Sequence, residues 1–309
     1  MTIQQLEYIV SLNKHRHFVE AAEACHVTQP TLSSMIRKLE EELDVIIFDR
    51  NTHPIEPTVL GAKIIEQASV VLFNVSQMRE MILDEKGMEV GELKLAVIPT
   101  IAPYILPSLI NNASKNSPGL KLKVSEVQTK VIIDLLHAAE IDIGLLATPL
   151  EDPELLEIPL YNEKFCVYAS PLETEIYNQK EINAPFMPTK HLWVLQEGHC
   201  FRAQIFNFCN HHSDYSTVFE AGSIDTLVKI VDKNGGYTVI PELHLSLLTN
   251  EQLKNVRPFI APQPSRQVSF VIRKDFVKEK FLNILAANIK TIVPEHMIDA
   301  HLKKFDIKI

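Results

Sequence analysis

The chain has 309 residues, 46% hydrophobic and 22% charged, with a formal net charge of −9. That length suits two or three globular domains, the composition is that of an ordinary folded protein, and the acidic balance excludes a protein that coats nucleic acid without selectivity. There is no uninterrupted run of about 18 apolar residues and no basic-then-apolar leader at Met1-Thr2-Ile3-Gln4-Gln5, so neither a membrane span nor a secretory signal is expected, and a cytoplasmic location is.

Residues 1 to 57 read as short helices. Leu6, Ile9 and Val10 give one apolar face, and Phe18, Ala21, Ala22 and Cys25 a second at helical spacing. After the break His26-Val27, Thr28 can cap a helix and Pro30 falls in its first turn, where a missing N–H costs little. Leu32, Met35, Ile36, Leu39 and Leu43 form its buried stripe. Gln29, Thr31, Ser33, Ser34, Arg37 and Lys38 stay off that stripe, as in a helix-turn-helix whose second helix enters a DNA major groove. A three-helix bundle with a solvated face fits the same pattern. Val45 to Pro57 suits a β-wing, with Arg50 available to a phosphate. These 57 residues carry five Lys/Arg against nine Asp/Glu, a net of −4. DNA binding would therefore rest on a few placed cations and show a modest salt dependence.

Residues 58 to about 88 read as one helix capped by Thr58. Leu60, Ile64, Ala68, Val71, Val75, Met78 and Ile82 repeat at close to 3.5 residues. One apolar seam on about 45 Å of helix needs a partner, so the stretch is a candidate dimerisation linker; packing on its own domain is the alternative. Gly87 and Gly91 mark its end.

From Gly91 the period changes. Strands are expected at 93–98, 122–127 and 141–147, with helices at 102–113 and 131–139 between them. This βαβαβ order implies a parallel sheet covered by helices. Further strands are expected at 165–168, 191–195, 217–221, 237–240 and 267–272, a turn at Gly235-Gly236, and a last amphipathic helix at 276–293. The strand at 267–272 follows a long excursion and can return to the first sheet. The result is two α/β lobes joined by two crossovers, with ligand sites at strand C-terminal ends or in the interlobe cleft.

Of the four cysteines, 25, 166, 200 and 209, no pair has zinc-finger spacing, so no metal and no cofactor is expected. A disulfide between any two in a reducing compartment would be transient and regulatory. Cys200 has His199 before it and Arg202 two residues on, so its thiolate would have cationic or donor neighbours. Cys209 lies nine residues further. Nine helical steps would put the two ~13 Å apart along the axis and on opposite faces, beyond disulfide reach, so joining them requires unwinding. Two small hydrophobes at this spacing are the plainer reading. Cys25 on a helix stripe and Cys166 in a strand are expected to be buried and inert.

The segment from Phe18 to Ser33, FVEAAEACHVTQPTLS, closely resembles the LysR-type transcriptional regulators, and Arg37, Lys38, Leu39, Glu40, Leu43, Phe48, Arg50, Thr58 and Gly61 continue the match. The resemblance implies a winged helix-turn-helix over residues 1–57, a linker helix over 58–90, and over 91–309 a two-lobed α/β effector domain like the periplasmic binding proteins. Lobe I takes about 91–162 and 266–309, and lobe II about 163–265. Asp44 stands where the family usually closes the recognition helix with glycine, and aspartate tolerates the left-handed conformation. Thr28, Gln29, Pro30, Thr31, Ser33, Ser34, Arg37, Lys38 and Arg50 then become the DNA-binding residues.

Within that family, Gly198 to Cys209 looks like the OxyR-type hydrogen peroxide sensors. That likeness implies a sensing thiol at Cys200, a resolving thiol at Cys209, and a peroxide pocket of Thr100, Thr129, His199, Arg202 and Arg266. Ala203 departs from it, standing where an acidic residue usually flanks the arginine. The resemblance further implies double-stranded promoter DNA, RNA polymerase and hydrogen peroxide as partners, a glutaredoxin or thioredoxin as reductant, and a homodimer or homotetramer. Such a protein is a regulator rather than an enzyme. Two rivals remain: a regulator sensing a small metabolite in the cleft with structural cysteines, and a thiol peroxidase or solute-binding protein. The last has no use for a polar recognition helix on a stalk.

Overall fold

The computed structural model describes residues 1–85, 91–188, 190–208, 220–304 and 306–308, without the side chains at 79, 80, 83–85 and 220. The chain forms two compact units, one built around Met1–Met88 and one from most of Glu89–Ile309.

In the first unit Thr2 opens α1 (Ile3–His15) with a capping box to Gln5. α2 (Phe18–Ala24) ends at Cys25, and the turn through left-handed His26 leads to α3 (Gln29–Leu43), capped by the Thr28 hydroxyl with proline in its first turn. Leu32, Ile36 and Leu39 are buried against Leu6, Ile9, Leu12, Ala21 and Ala22, whereas Leu43 is exposed. Asp44 does close α3 in the left-handed conformation, its N–H bonded to Glu40 O. The wing is a two-stranded antiparallel ribbon, β1 (Phe48–Asp49) on β2 (Glu56–Pro57).

α4 (Val59–Glu85) is one helix of 27 residues, ~40 Å long at 1.5 Å per residue. Thr58 Oγ1 accepts from Gly61 N and donates to Ile46 O, fixing the helix start on the wing. A Cβ at Gly61 would stand 2.0 Å from Ile47 O, so only glycine permits that approach. Ile65 and Ala68 join the winged-helix core, while Val59, Leu60, Val71, Met78, Met81 and Ile82 are exposed. The 20-residue stretch Val59–Met78 is long and apolar enough to cross a membrane by length and composition, which a search for unbroken apolar runs misses. Its N-terminal half is nonetheless part of the winged-helix core.

In the second unit β3 (Gly91–Val97) lies between β4 (Leu120–Glu126) and β5 (Ile143–Thr148), all parallel, with α5 (Ala102–Asn116) and α6 (Thr129–His137) as crossovers. This is the βαβαβ order read from the sequence. β6 (Leu155–Ala169) leaves this lobe and α7 (Thr174–Tyr177) follows it. The second lobe adds β7 (Leu192–Leu195), α8 (Cys200–Phe208), β8 (Glu220–Ala221), α9 (Ile224–Asn234), β9 (Tyr237–Pro241), α10 (Asn250–Leu253) and β10 (Val256–Pro258). β11 (Ser265–Arg273) then returns to pair antiparallel with both β5 and β6. α11 (Glu279–Ile292) and α12 (Ala300–Lys304) close the chain. One sheet thus runs β4-β3-β5-β11-β6-β9-β7-β8, with β10 on β6.

The sequence expectation for β6 covers only residues 165–168, near its end. The missing part carries Asn162, Glu163 and Lys164, which break an apolar pattern. Glu163 faces inward onto a charged partner, not onto hydrocarbon. β10 and α12 are too short to show a period. Gly235 and Gly236 form the expected turn, both at positive φ. Of the strand expected at 217–221, residues 217–219 lie outside the described residues.

Candidate functional site

Two groups of residues carry chemistry. On the first unit, Thr28, Gln29, Pro30, Thr31, Ser34, Arg37 and Lys38 are exposed along one side of α3, and Ser33 is half-buried. The Thr28 and Thr31 hydroxyls pair at 2.8 Å at the helix start. Two of the cations are engaged. Arg37 pairs with Glu41 at 2.9 Å, and Arg50, on the wing, with Glu40 at 2.7 Å. An α-helix ending in short polar side chains and cations has the dimensions and donors to read a major groove.

On the second unit, the site grows from strand ends. Thr100 follows β3 and Thr129 opens α6 after β4, so both stand at the C-terminal edge of one parallel sheet, where α/β folds place ligands. Arg266, near the start of β11, reaches back to Thr100. Its Nη1 donates to Thr100 Oγ1 at 2.8 Å and its Nη2 to Thr100 O at 2.9 Å. Since the Thr100 oxygen accepts that bond, its own hydroxyl proton is left to donate elsewhere. Arg266 is held from the other side by Glu163, whose Oε2 accepts from Nε at 2.8 Å. Glu163 Oε1 accepts from Leu243 N at 2.9 Å. Burial works against the guanidinium charge, but Glu163, then Tyr161 and Cys200, outweigh it, and the Arg266 pKa stands above the usual arginine value.

Cys200 enters from the other lobe, as the first residue of α8 after β7. Gly198, at φ +93, makes this approach possible: a Cβ there would stand 2.5 Å from Gln128 Oε1. The loop before α8 therefore lies on the loop before Thr129. Phe201 is fully buried, with the Arg266 guanidinium 5.3 Å from its ring centre. The unbonded N–H groups of a helix's first turn favour an anion at Cys200, and the thiolate is the reactive form of cysteine. The thiol is free and half-buried.

His199 is buried, and burial lowers its pKa. It is a neutral donor or acceptor at neutral pH, so of the two roles expected for it the cationic one falls away. Arg202 Nη1 donates to Leu195 O at 3.2 Å, and its guanidinium lies 5.4 Å from the Phe206 ring centre on the same helix. Cys200 interacts electrostatically with Arg266. Ala203 is exposed.

Two further groups stand out. The Thr129 hydroxyl is buried with no hydrogen-bond partner among the described residues, and so is Gln204 Oε1. Gln204 was not singled out in the sequence. Its spacing of four from Cys200, one turn along the same helix face, is the signal that points to it. Glu163 was missed too, because no sequence pattern pairs it with Arg266 across about a hundred residues. Cys209 lies outside the described residues. Cys25 and Cys166 are half-buried rather than buried. Burial, then Glu242 and Glu163, push the Cys166 pKa up to about 12, which disfavours the reactive thiolate. Among the described residues no cluster of His, Cys, Asp or Glu has the arrangement to hold a metal ion.

Comparison with known proteins agrees with these features. Residues 3–62 match the model of the bacterial regulatory helix-turn-helix protein, lysR family, and residues 86–287 that of the LysR substrate binding domain. The hydrogen peroxide-inducible genes activator of Pectobacterium carotovorum is 34% identical over 280 residues, 88% of this chain and 90% of that protein. Full-length OxyR of Pseudomonas aeruginosa, in a cysteine-to-aspartate variant, superposes with a TM-score of 0.80 at 34% identity, covering 95% of this chain and 99% of that one. Hydrogen peroxide-bound OxyR of Corynebacterium glutamicum, in a cysteine-to-serine variant, gives 0.61 at 26% identity, covering 94% and 92%.

Proposed function

The chain belongs to the LysR family of transcription regulators, which are not enzymes, and on that premise we propose that it senses hydrogen peroxide at Cys200 and answers by closing a Cys200–Cys209 disulfide. The observation that carries this reading is the placement of a free thiol at a helix start beside the buried Arg266–Thr100 pair.

In the first step the Cys200 thiolate attacks one peroxide oxygen. The S–O bond forms as the O–O bond breaks, sulfur loses two electrons, and the departing oxygen takes a proton and leaves as water. Thr100, Thr129 and neutral His199 supply hydroxyl and imidazole groups to hold the peroxide in line. Arg266 supplies positive charge for the departing oxygen. In the second step the Cys209 thiolate attacks the sulfenic sulfur; the disulfide forms and hydroxide leaves, protonated to water. A dithiol reductant of the glutaredoxin or thioredoxin class returns both thiols and is itself oxidised.

The switch is mechanical. Eight helical steps carry the backbone ~12 Å from Cys200 to Phe208. A disulfide spans at most about 7 Å between Cα atoms, and the next Cα is only ~3.8 Å further along the chain. Part of α8 must therefore unwind, and Phe201 and Ile205, buried in the second lobe's core, must repack with it. The exposed apolar side of α4 supports a homodimer, paired through that helix or assembled further into a tetramer, with the two α3 helices reading promoter DNA. Rearranged effector domains then reposition those helices and alter recruitment of RNA polymerase. A footprint on promoter DNA with and without peroxide, repeated with Cys200→Ser, tests this. A change in the wild type that the variant lacks supports it. The same change in both removes Cys200 from the mechanism, and no change in either returns the protein to the metabolite-sensing reading.

A further inference from the structure

We propose that Glu40 is a positioning residue of the DNA-binding face, which holds the wing arginine where it meets the phosphate backbone. The proposal rests on reading Arg50 as a phosphate contact. Glu40 sits in the last turns of α3, with its side chain only 11% exposed, and its carboxylate is shared among three donors of the wing. Oε1 accepts the backbone N–H of Ile47 at 2.8 Å and of Phe48 at 3.2 Å. Oε2 accepts Arg50 Nη2 at 2.7 Å. Its own carbonyl accepts Val45 N at 3.0 Å and Asp44 N, which ends the helix. A single residue thus ties the end of α3, the entry to the wing and the wing's cation together.

The wing needs such a tie. Its ribbon pairs only two residues from each strand, so little else fixes Arg50 at its end. A long arginine free in solvent loses rotamer freedom on ordering. One already held by a charge-assisted bond loses less on meeting DNA. The guanidinium has five donors in a planar fork, so it can keep Glu40 on one edge and take a phosphate oxygen on another.

The sign of the effect separates this from a charge argument. A carboxylate beside DNA repels phosphate, so by charge alone removing it tightens binding. By positioning, removing it loosens binding. Glu40→Gln keeps an acceptor for Ile47 and Phe48 but loses the charged bond to Arg50. The test measures affinity of the full-length reduced protein for random-sequence duplex DNA by fluorescence anisotropy across a salt series. Thermal unfolding is followed on each variant. Glu40→Gln is expected to bind several-fold more weakly, with the slope of log K against log salt reduced by about 0.9 per chain, one phosphate contact. Arg50→Gln should do the same, and the double variant should be no weaker than Arg50→Gln alone. Tighter or unchanged binding in Glu40→Gln, or weaker binding at the wild-type slope, overturns the role of Glu40 while Arg50→Gln still weakens binding. If Arg50→Gln changes neither affinity nor slope, the reading of Arg50 fails and the proposal fails with it. Should Glu40→Gln not fold, Glu40→Asp, which keeps the charge but is one methylene too short to hold Arg50 together with the two backbone N–H groups, must show the same lowered slope.

Discussion

Glu163 and Arg266 form an ion pair with both side chains fully out of contact with water, Nη2 standing 2.7 Å from Oε2 and Nε 2.8 Å from the same oxygen. They lie opposite one another on β6 and β11, the two strands that join the lobes. Glu163 also accepts Leu243 N from the second lobe, and Arg266 binds Thr100 of the first. A buried pair of this kind adds little stability over hydrocarbon, but removing one partner strands the other charge. Glu163→Leu should therefore cost about 3–5 kcal/mol in urea unfolding. Arg266→Lys, which keeps the charge but loses the fork, should slow Cys200 oxidation by on the order of 100-fold. Stopped-flow measurement of thiol loss checks the second value.

Thr129 separates function from stability. Its buried hydroxyl has no partner among the described residues, and burying such a group without a hydrogen bond costs stability. Thr129→Val keeps the shape and removes the hydroxyl, so the unfolding temperature should stay the same or rise. If the hydroxyl holds peroxide, the oxidation rate of Cys200 should fall by on the order of 10- to 100-fold in the same variant. A lower unfolding temperature with an unchanged rate would assign Thr129 a structural role.

Acid should loosen the effector unit. Burial lowers the pKa of both His199 and His244; for His244 Asp225 pulls weakly the other way. An unfolded chain takes up those protons near pH 6.5, while the folded chain takes them up only at lower pH. Stability from these groups is thus full above pH 6.5 and falls as pH drops through the lowered folded values. The unfolding temperature at pH 5 should lie below that at pH 7.5. His244→Gln, which gives up the 2.9 Å bond to the Tyr104 hydroxyl, should be less stable at pH 7.5 and lose less on acidification.

Recognition and positioning on α3 should separate by salt dependence. Gln29 is exposed in the first turn, and Lys38 is exposed with no ion pair among the described residues. Gln29→Ala should weaken binding to a specific promoter site by about 1–3 kcal/mol and leave random DNA unaffected. Lys38→Ala should weaken both alike and lower the salt slope by about one. Anisotropy titrations on the two duplexes at three salt concentrations distinguish these outcomes.

What the sequence made legible follows from range. The N-terminal motif, the βαβαβ order, the Thr58 cap and the left-handed Asp44 are local patterns, and the structure has them. The resemblance named both Arg202 and Arg266, but the partners of each were not legible, because three-dimensional packing decides them. Arg202 found the Leu195 carbonyl one strand end away; Arg266 found Thr100 across 166 residues of chain. The polar middle of β6 was hidden for a related reason, since its buried residue is a carboxylate whose partner lies on another strand.

The central claim is that peroxide drives a bond between two particular sulfurs against an ordered helix. Mass-spectrometric thiol mapping of the full-length protein after one equivalent of peroxide tests it most directly. The account predicts loss of two free thiols, at Cys200 and Cys209, a linked peptide joining them, and Cys25 and Cys166 still labelled. It also predicts that Cys200→Ser leaves every remaining thiol free. Oxidation of Cys25 or Cys166 in place of that pair, or a linked pair that still forms in Cys200→Ser, would contradict it.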